Sequence, residues 1–262
     1  MELSADGYGY WGAIFSSDGS GIMGGLQPDR ESLRNIIYYM PISGGLPKTI
    51  WEKSFAVPFA WSPDSKTLLI IAPGGHLGDS FEGHTVKQLD VDTLSTTAFL
   101  DDPELEIWPH QFSNDGRWVA FNATKNRKSS RIYIAPFRKA LVPLSERIPI
   151  TGGDWDDMPH FSYDDKRLFF VSGKKAPRRL MAQRLGSDMR PDGKPVAVYP
   201  MGQSKSSPDI SNGEISVGPR RIVFRHDETT GNIWLLEPAK PGSRRPESWP
   251  PRTYTPAPPA PP

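Results

Sequence analysis

Trp108-Pro109-His110-Gln111-Phe112-Ser113-Asn114-Asp115-Gly116-Arg117-Trp118-Val119-Ala120-Phe121 reads as a strand, a tight turn and a second strand. Gln111-Phe112 and Trp118-Val119-Ala120-Phe121 are β-prone runs. Between them, Asn and Asp accept left-handed or side-chain-bonded turn conformations, and Gly supplies a positive φ. A single hairpin decides little; this one recurs. Ile14-Phe15-Ser16-Ser17-Asp18-Gly19, Ala60-Trp61-Ser62-Pro63-Asp64-Ser65, His160-Phe161-Ser162-Tyr163-Asp164-Asp165 and Asp209-Ile210-Ser211-Asn212-Gly213 are its other copies. The serines Ser16, Ser62, Ser113, Ser162 and Ser211 lie 46, 51, 49 and 49 residues apart.

Other features keep that phase. Pro58, Pro109, Pro159 and Pro208 stand shortly before the serine, and an apolar strand follows the turn, as in Thr67–Ile71, Arg167–Val171 and Arg221–Phe224. A third apolar run comes next, at Ile36–Tyr39, Val86–Leu89, Arg131–Ile134, Leu180–Gln183 and Asn232–Leu235. A fourth follows in the first four copies, at Thr49–Trp51, Thr97–Leu100, Arg147–Ile150 and Val196–Tyr199. Four short strands in a unit of 40 to 50 residues are the signature of a propeller blade. A lone four-stranded sheet cannot cover both of its faces; stacking sheets radially buries face against face. The fold class is therefore all-β, a β-propeller of about five four-stranded blades. A β-sandwich also has closely spaced strands, but has no reason to repeat one turn at one period.

Apolar-Ser-Pro-Asp-Gly, then Lys or Arg, then an apolar strand resembles the TolB-like propeller repeat of bacteria, also called the PD40 or WD40-like repeat. Trp61–Lys66 and Phe112–Arg117 are its best copies, and Gly231–Leu235 is similar to its third strand. The resemblance spans residues 8 to 237. The first copy lacks the proline and the last lacks the aspartate. Such repeats occur in the periplasmic TolB protein, on the non-catalytic propeller of prolyl-oligopeptidase-type peptidases, and as C-terminal modules of bacterial kinases and regulators. The resemblance implies a propeller over residues 1–240 with a protein or peptide partner, outside the cytoplasm. Residues 241–262 are rich in proline and read as an extended tail.

Composition sets limits. Five units of this period account for most of the 262 residues. A net charge of +1 argues against a nucleic-acid partner, which calls for a strong basic excess. The absence of cysteine excludes disulfides, thiolate metal sites and a cysteine nucleophile. No apolar run is long enough to span a bilayer, and Met1–Gly7 has neither the basic nor the apolar region of a signal peptide. The fifth copy shows three strands and no clear fourth, which leaves two arrangements: part of a larger propeller, or a five-bladed ring.

Polar residues in phase with the repeat are the candidate site. The residue after the proline is Phe59, His110, His160 and Asp209 in successive copies. Inner strands line the channel of such a disc, so these positions ring its mouth and could bind a partner's side chain, an anion or a metal. The plainer alternative is that they bond neighbouring backbone or water. The other polar clusters point to no cofactor. The glycine-rich Pro73–His84 is followed by a strand rather than the helix a phosphate cradle needs. Asp101–Glu106 and Gly152–Met158 lack the oxygen spacing of a calcium loop and read as solvated rim charge. Gly173–Arg179 reads as a solvated basic loop. No Gly-x-Ser-x-Gly elbow is present, and one Asp with two His does not make a glycosidase carboxylate pair. The expected function is a non-catalytic interaction or sensing module; the alternative is the propeller of a hydrolase, with the channel mouth as gate or site.

Overall fold

The computed structural model describes residues 9–27, 35–52, 54–73, 84–126, 128–174, 178–199 and 215–224. All lie in one compact unit, Met1–Glu228; Thr229–Pro262 form a second unit that holds none of them. The expected boundary at residue 240 and the proline-rich segment fall outside the described residues.

Four four-stranded antiparallel sheets follow one another. The first is β1 (Gly9–Phe15), β2 (Gly21–Gln27), β3 (Ile36–Pro41) and β4 (Lys48–Trp51). The second is β5 (Val57–Trp61), β6 (Thr67–Pro73), β7 (His84–Asp90) and β8 (Thr96–Leu100). The third is β9 (Glu106–Phe112), β10 (Trp118–Lys125), β11 (Ser129–Pro136) and the two-residue β12 (Ile148–Pro149). The fourth is β13 (Asp156–Phe161), β14 (Arg167–Ser172), β15 (Arg179–Arg184) and β16 (Val196–Tyr199). Strands pair in chain order within each sheet, and the inner strands β1, β5, β9 and β13 contact one another in succession. These are propeller blades. A single 3-10 turn, Leu144–Glu146, is the only helical element among the described residues, and no helix is long and apolar enough to cross a membrane.

The fifth unit departs from expectation. Its second strand β18 (Ile222–Phe224) pairs with β17 (Ile215–Val217), which lies after Ser211-Asn212-Gly213, and Gly218 N–H closes the turn on Arg221 C=O at 2.9 Å. The marker turn expected at Ser211-Asn212-Gly213 lies outside the described residues. Strand β17 packs against β13, while no strand of this unit pairs with the first blade, so the array is open among the described residues.

Burial explains the stacking. Successive residues of a strand point to opposite faces. In β6, Leu68 and Ile70 join Met23, Ile37 and Ile50 of the first blade; Leu69 joins Val119 and Phe121 of the third. In β10, Val119 and Phe121 face the second blade, whereas Ala120 packs with Phe161, Leu168 and Phe170 of the fourth. Each core is shared between two blades.

The marker serines build one turn four times over. The serine hydroxyl donates to the aspartate two residues on, at 2.6 Å (Ser16–Asp18), 2.5 Å (Ser62–Asp64), 2.7 Å (Ser113–Asp115) and 2.6 Å (Ser162–Asp164). The same oxygen accepts the N–H five residues on, at 2.9–3.0 Å, from Gly21, Thr67, Trp118 and Arg167. The aspartate accepts the N–H two residues further, from Ser20, Lys66, Arg117 and Lys166. The serine hydroxyl is the leading influence in holding the Asp18 carboxyl down to about 2, below the usual carboxylate range.

The fourth turn position has positive φ in every copy: Gly19 (70°), Ser65 (56°), Gly116 (73°) and Asp165 (55°). Glycine is free there; serine and aspartate are strained. Their side chains compensate by gripping the preceding blade. Ser65 Oγ accepts Asp18 N–H at 3.1 Å. Asp165 accepts Asn114 N–H at 2.9 Å, Asn114 Nδ2–H at 2.8 Å and Asp115 N–H at 3.1 Å. Ser17 Oγ and Asn114 Nδ2 also donate forward to Ser62 C=O and Ser162 C=O, at 2.9 and 3.1 Å. Between the second and third blades the link is apolar: Pro63 packs beside Gly116, where an added Cβ would lie 3.6 Å from its ring.

The acidic runs are not simply solvated rim charge. Asp102 is 5% exposed, and its carboxylate receives Arg147 Nη1–H at 3.0 Å and the N–H groups of Glu104 and Leu105. Arg147 is equally buried and also donates to Asp101 C=O, so the pair fastens the second blade to the third. Asp156 is buried as well, its carboxylate lying where a side chain on Gly153 would be.

Three stability changes follow, each measurable by chemical denaturation. Phe121→Ala empties a fully buried site beside the stacked Tyr133 ring and costs about 3–5 kcal/mol. Asp102→Asn leaves Arg147 as an uncompensated buried charge, at a cost of about 3–5 kcal/mol. Asp165→Gly relieves the backbone but deletes three accepted hydrogen bonds, each worth about 0.5–1.5 kcal/mol, and the variant is less stable by about 1 kcal/mol; a gain in stability would show that strain outweighs the grip.

Candidate functional site

The inner strands are bulged where the phase-matched polar residues stand. The pairing slips between Trp11 and Ala13 in β1, and between Pro58 and Ala60 in β5, leaving Phe59 as the extra residue. In β9, Gln111 pairs with Ala120 and Pro109 with Phe121, which leaves His110 extra. In β13 the slip falls between Asp157 and His160, and Met158 takes φ 56°. Bulges re-aim a side chain and spare the ladder the N–H that proline lacks.

His110 and His160 come together, with ring centroids 6.4 Å apart and planes inclined by 57°. Phe59 meets Trp108 edge to face at 6.1 Å. Asp209 lies outside the described residues. Residues with no sequence signal complete the site. His110 Nε2 is 2.7 Å from Asn122 Oδ1, Asn122 Nδ2 donates to Ser130 Oγ at 3.0 Å, and Ser130 Oγ donates to Asp156 C=O at 2.9 Å. Asn122 and Ser130 are buried on β10 and β11. Asp157 Oδ1 lies 3.7 Å from His110 Nε2 and accepts Met158 N–H at 2.8 Å. Gln111 Oε1 accepts Phe161 N–H at 2.7 Å, tying β9 to β13 beside the pair.

The network assigns the protons. A carbonyl only accepts, so Ser130 must donate to Asp156 C=O and receive from the Asn122 amide. That turns Asn122 Oδ1 to His110, whose Nε2 therefore carries hydrogen. His160 Nδ1 faces Met158 C=O at 3.2 Å and carries hydrogen for the same reason. Each neutral imidazole is left with one lone pair, on His110 Nδ1 and His160 Nε2. Burial favours the neutral forms. It pushes the His160 pKa down to about 4, His110 adding to the shift, and it lowers that of His110 against the opposing pull of Asp157 and Asn122.

No grouping of three His, Cys, Asp or Glu suited to a metal occurs among the described residues. The loop 74–83 with His76, Asp79 and Glu82 lies outside them, as do residues 175–177 of the basic loop; Lys174 of that loop stands over the Trp155 ring at 4.5 Å.

Comparison with known proteins bears on this architecture. No family model matches the chain. A protein of Agrobacterium fabrum, described only as uncharacterized, is 24% identical over 139 residues, covering 53% of this chain and 43% of that protein. Among solved structures, TolB from Acinetobacter baumannii superposes with a TM-score of 0.57 at 18% identity, over 84% of this chain and 52% of TolB. A putative TolB from Agrobacterium tumefaciens gives 0.54 at 21% identity, over 71% of this chain and 63% of that one. Prolyl oligopeptidase B from Galerina marginata gives 0.57 at 15% identity, over 86% of this chain and 34% of the enzyme. This chain spans less than half of the curated relative and about half of the Acinetobacter TolB.

Histidine burial makes stability depend on pH. The unfolded chain takes up a proton on His160 near pH 6.5, the folded chain only near 4. Stability present above pH 6.5 is thus lost as pH falls through that window. His160→Gln removes this titration, and its stability is flatter between pH 6.5 and 4 than that of the parent, as denaturation curves across the range would show; an unchanged slope would mean that His160 is not held neutral. These likenesses establish the fold, and the fold is a TolB-like β-propeller.

Proposed function

We propose that this chain is a non-catalytic interaction module of the TolB-like repeat type, which binds a protein or peptide at its channel mouth. The observation that carries this is the convergence of His110 and His160 at the bulged level of the inner strands, beside Met158 in a strained conformation. Backbone strain persists only where its surroundings over-determine it, and it gathers at ligand sites. The binding position consists of Phe59, His110, His160 and, on the unit that follows, Asp209. A rigid disc with one polar cluster at its centre suits docking of an extended segment or loop.

The propeller of a hydrolase is the second reading, favoured by the likeness to prolyl oligopeptidase B over most of this chain. In that case the same channel mouth gates access to a separate catalytic domain. No cofactor or nucleic acid enters either reading.

The test is selection of displayed peptides on the intact chain, followed by affinity measurement on the His110→Gln/His160→Gln double variant. Peptides selected on the parent should bind the variant at least tenfold more weakly. Peptides that bind both equally would remove the channel mouth as the site.

A further inference from the structure

We infer that the cluster of His110, His160 and Asp157 recognises a cationic hydrogen-bond donor, the guanidinium or ammonium group of an arginine or lysine on the partner. The inference rests on the channel-mouth reading above and gives that site its chemistry.

Three acceptors lie close together, the His110 and His160 ring centroids 6.4 Å apart and Asp157 Oδ1 3.7 Å from His110 Nε2, and no lysine or arginine is bonded to them among the described residues. His110 spends its Nε2–H on Asn122, which leaves the Nδ1 lone pair. His160 spends its Nδ1–H on Met158 C=O, which leaves the Nε2 lone pair. Asp157 adds a carboxyl group; its Oδ1 is taken by Met158 N–H, and its Oδ2 receives no hydrogen bond from the described residues. The groups packed around the pair are acceptors or amides: Asn122 from β10, Ser130 from β11, Gln111 from β9 and Asp157 from β13. Lys174, which follows β14, is drawn over the Trp155 ring.

An anionic ligand would meet the Asp157 carboxylate and two lone pairs, with every ring N–H already committed. A neutral apolar ligand would leave partly buried acceptors unsatisfied, which costs more than the contact returns. A guanidinium or ammonium satisfies them and balances the charge. The site is dry enough for this to matter: the His110 and Asp157 side chains are only 19% and 24% exposed. Phe59 on the preceding inner strand and Trp108 on the strand of His110 are aromatic side chains of the kind that accept a cation.

Acid should weaken such binding. Protonation of either imidazole removes a lone pair and places like charge beside the ligand, with Asp156 and Asp157 the carboxyl groups on the strand of His160.

The experiment uses the intact chain and small probes: N-acetyl-arginine methylamide and the lysine equivalent, against the citrulline and glutamate derivatives. Binding is read from the imidazole nitrogen signals of His110 and His160 by NMR at pH 7 and again at pH 4. At pH 7 the arginine or lysine probe should shift both rings, at least tenfold more tightly than citrulline, with the preferred cation distinguishing guanidinium from ammonium recognition. Asp157→Asn should weaken this about tenfold while leaving both rings in place, and binding of the cationic probe should be weaker at pH 4 than at pH 7. Citrulline or glutamate binding as tightly as arginine, or no shift with either cation at saturating concentration, overturns the inference. Displayed peptides that need both histidines yet carry no arginine or lysine would also overturn it while leaving the channel-mouth reading intact. Peptides indifferent to both histidines would instead remove the site itself.

Discussion

Everything in this molecule depends on a sheet having two apolar faces. In β6, neighbouring residues serve different blades: Leu68 and Ile70 look back to the first, Leu69 forward to the third. No blade owns a core, so none is stable alone, and each must be held at the angle that seals both sides. The turn geometry does this holding. A serine hydroxyl and an aspartate close each hairpin, and the hairpins grip one another through Ser17, Ser65, Asn114 and Asp165. Packing sets how strongly adjacent sheets attract; the polar contacts at the turns set how they sit.

Much of the fold was legible in the order of residues. The period was visible because the turn is chemically demanding: few residues other than serine and aspartate can make those bonds in that space. Third strands such as Arg131–Ile134 were legible as β-branched runs in phase. The fifth unit was not. Ser211-Asn212-Gly213 lies outside the described residues, and the hairpin that follows it closes at Gly218–Arg221, whose Gly-Pro pair is a turn signal that the period did not single out. Turn composition marks where a chain can bend, and only pairing decides where it does.

The candidate site was half legible. His110 and His160 were singled out by phase alone, and the bulges bring them together. Asn122 and Ser130 could not be found that way. Each sits in an apolar strand 12 and 20 residues beyond His110, and their value lies in a bonding direction that exists only once β9, β10 and β11 are side by side. Asp102 escaped for a related reason. In sequence it belongs to an acidic run; in space Arg147, 45 residues away, closes over it.

The turn contacts run one way along the chain. Ser17 and Asn114 reach forward to the serine carbonyl of the next blade, but Pro63, at the equivalent place in the second, has no donor to extend. The blades are therefore not interchangeable modules. A second blade copied in tandem would set Pro63 against its twin's Ser62 carbonyl, an acceptor with no hook. Lengthening this protein by duplication is permitted at some joints and penalised at others, and the residue after each marker serine tells which.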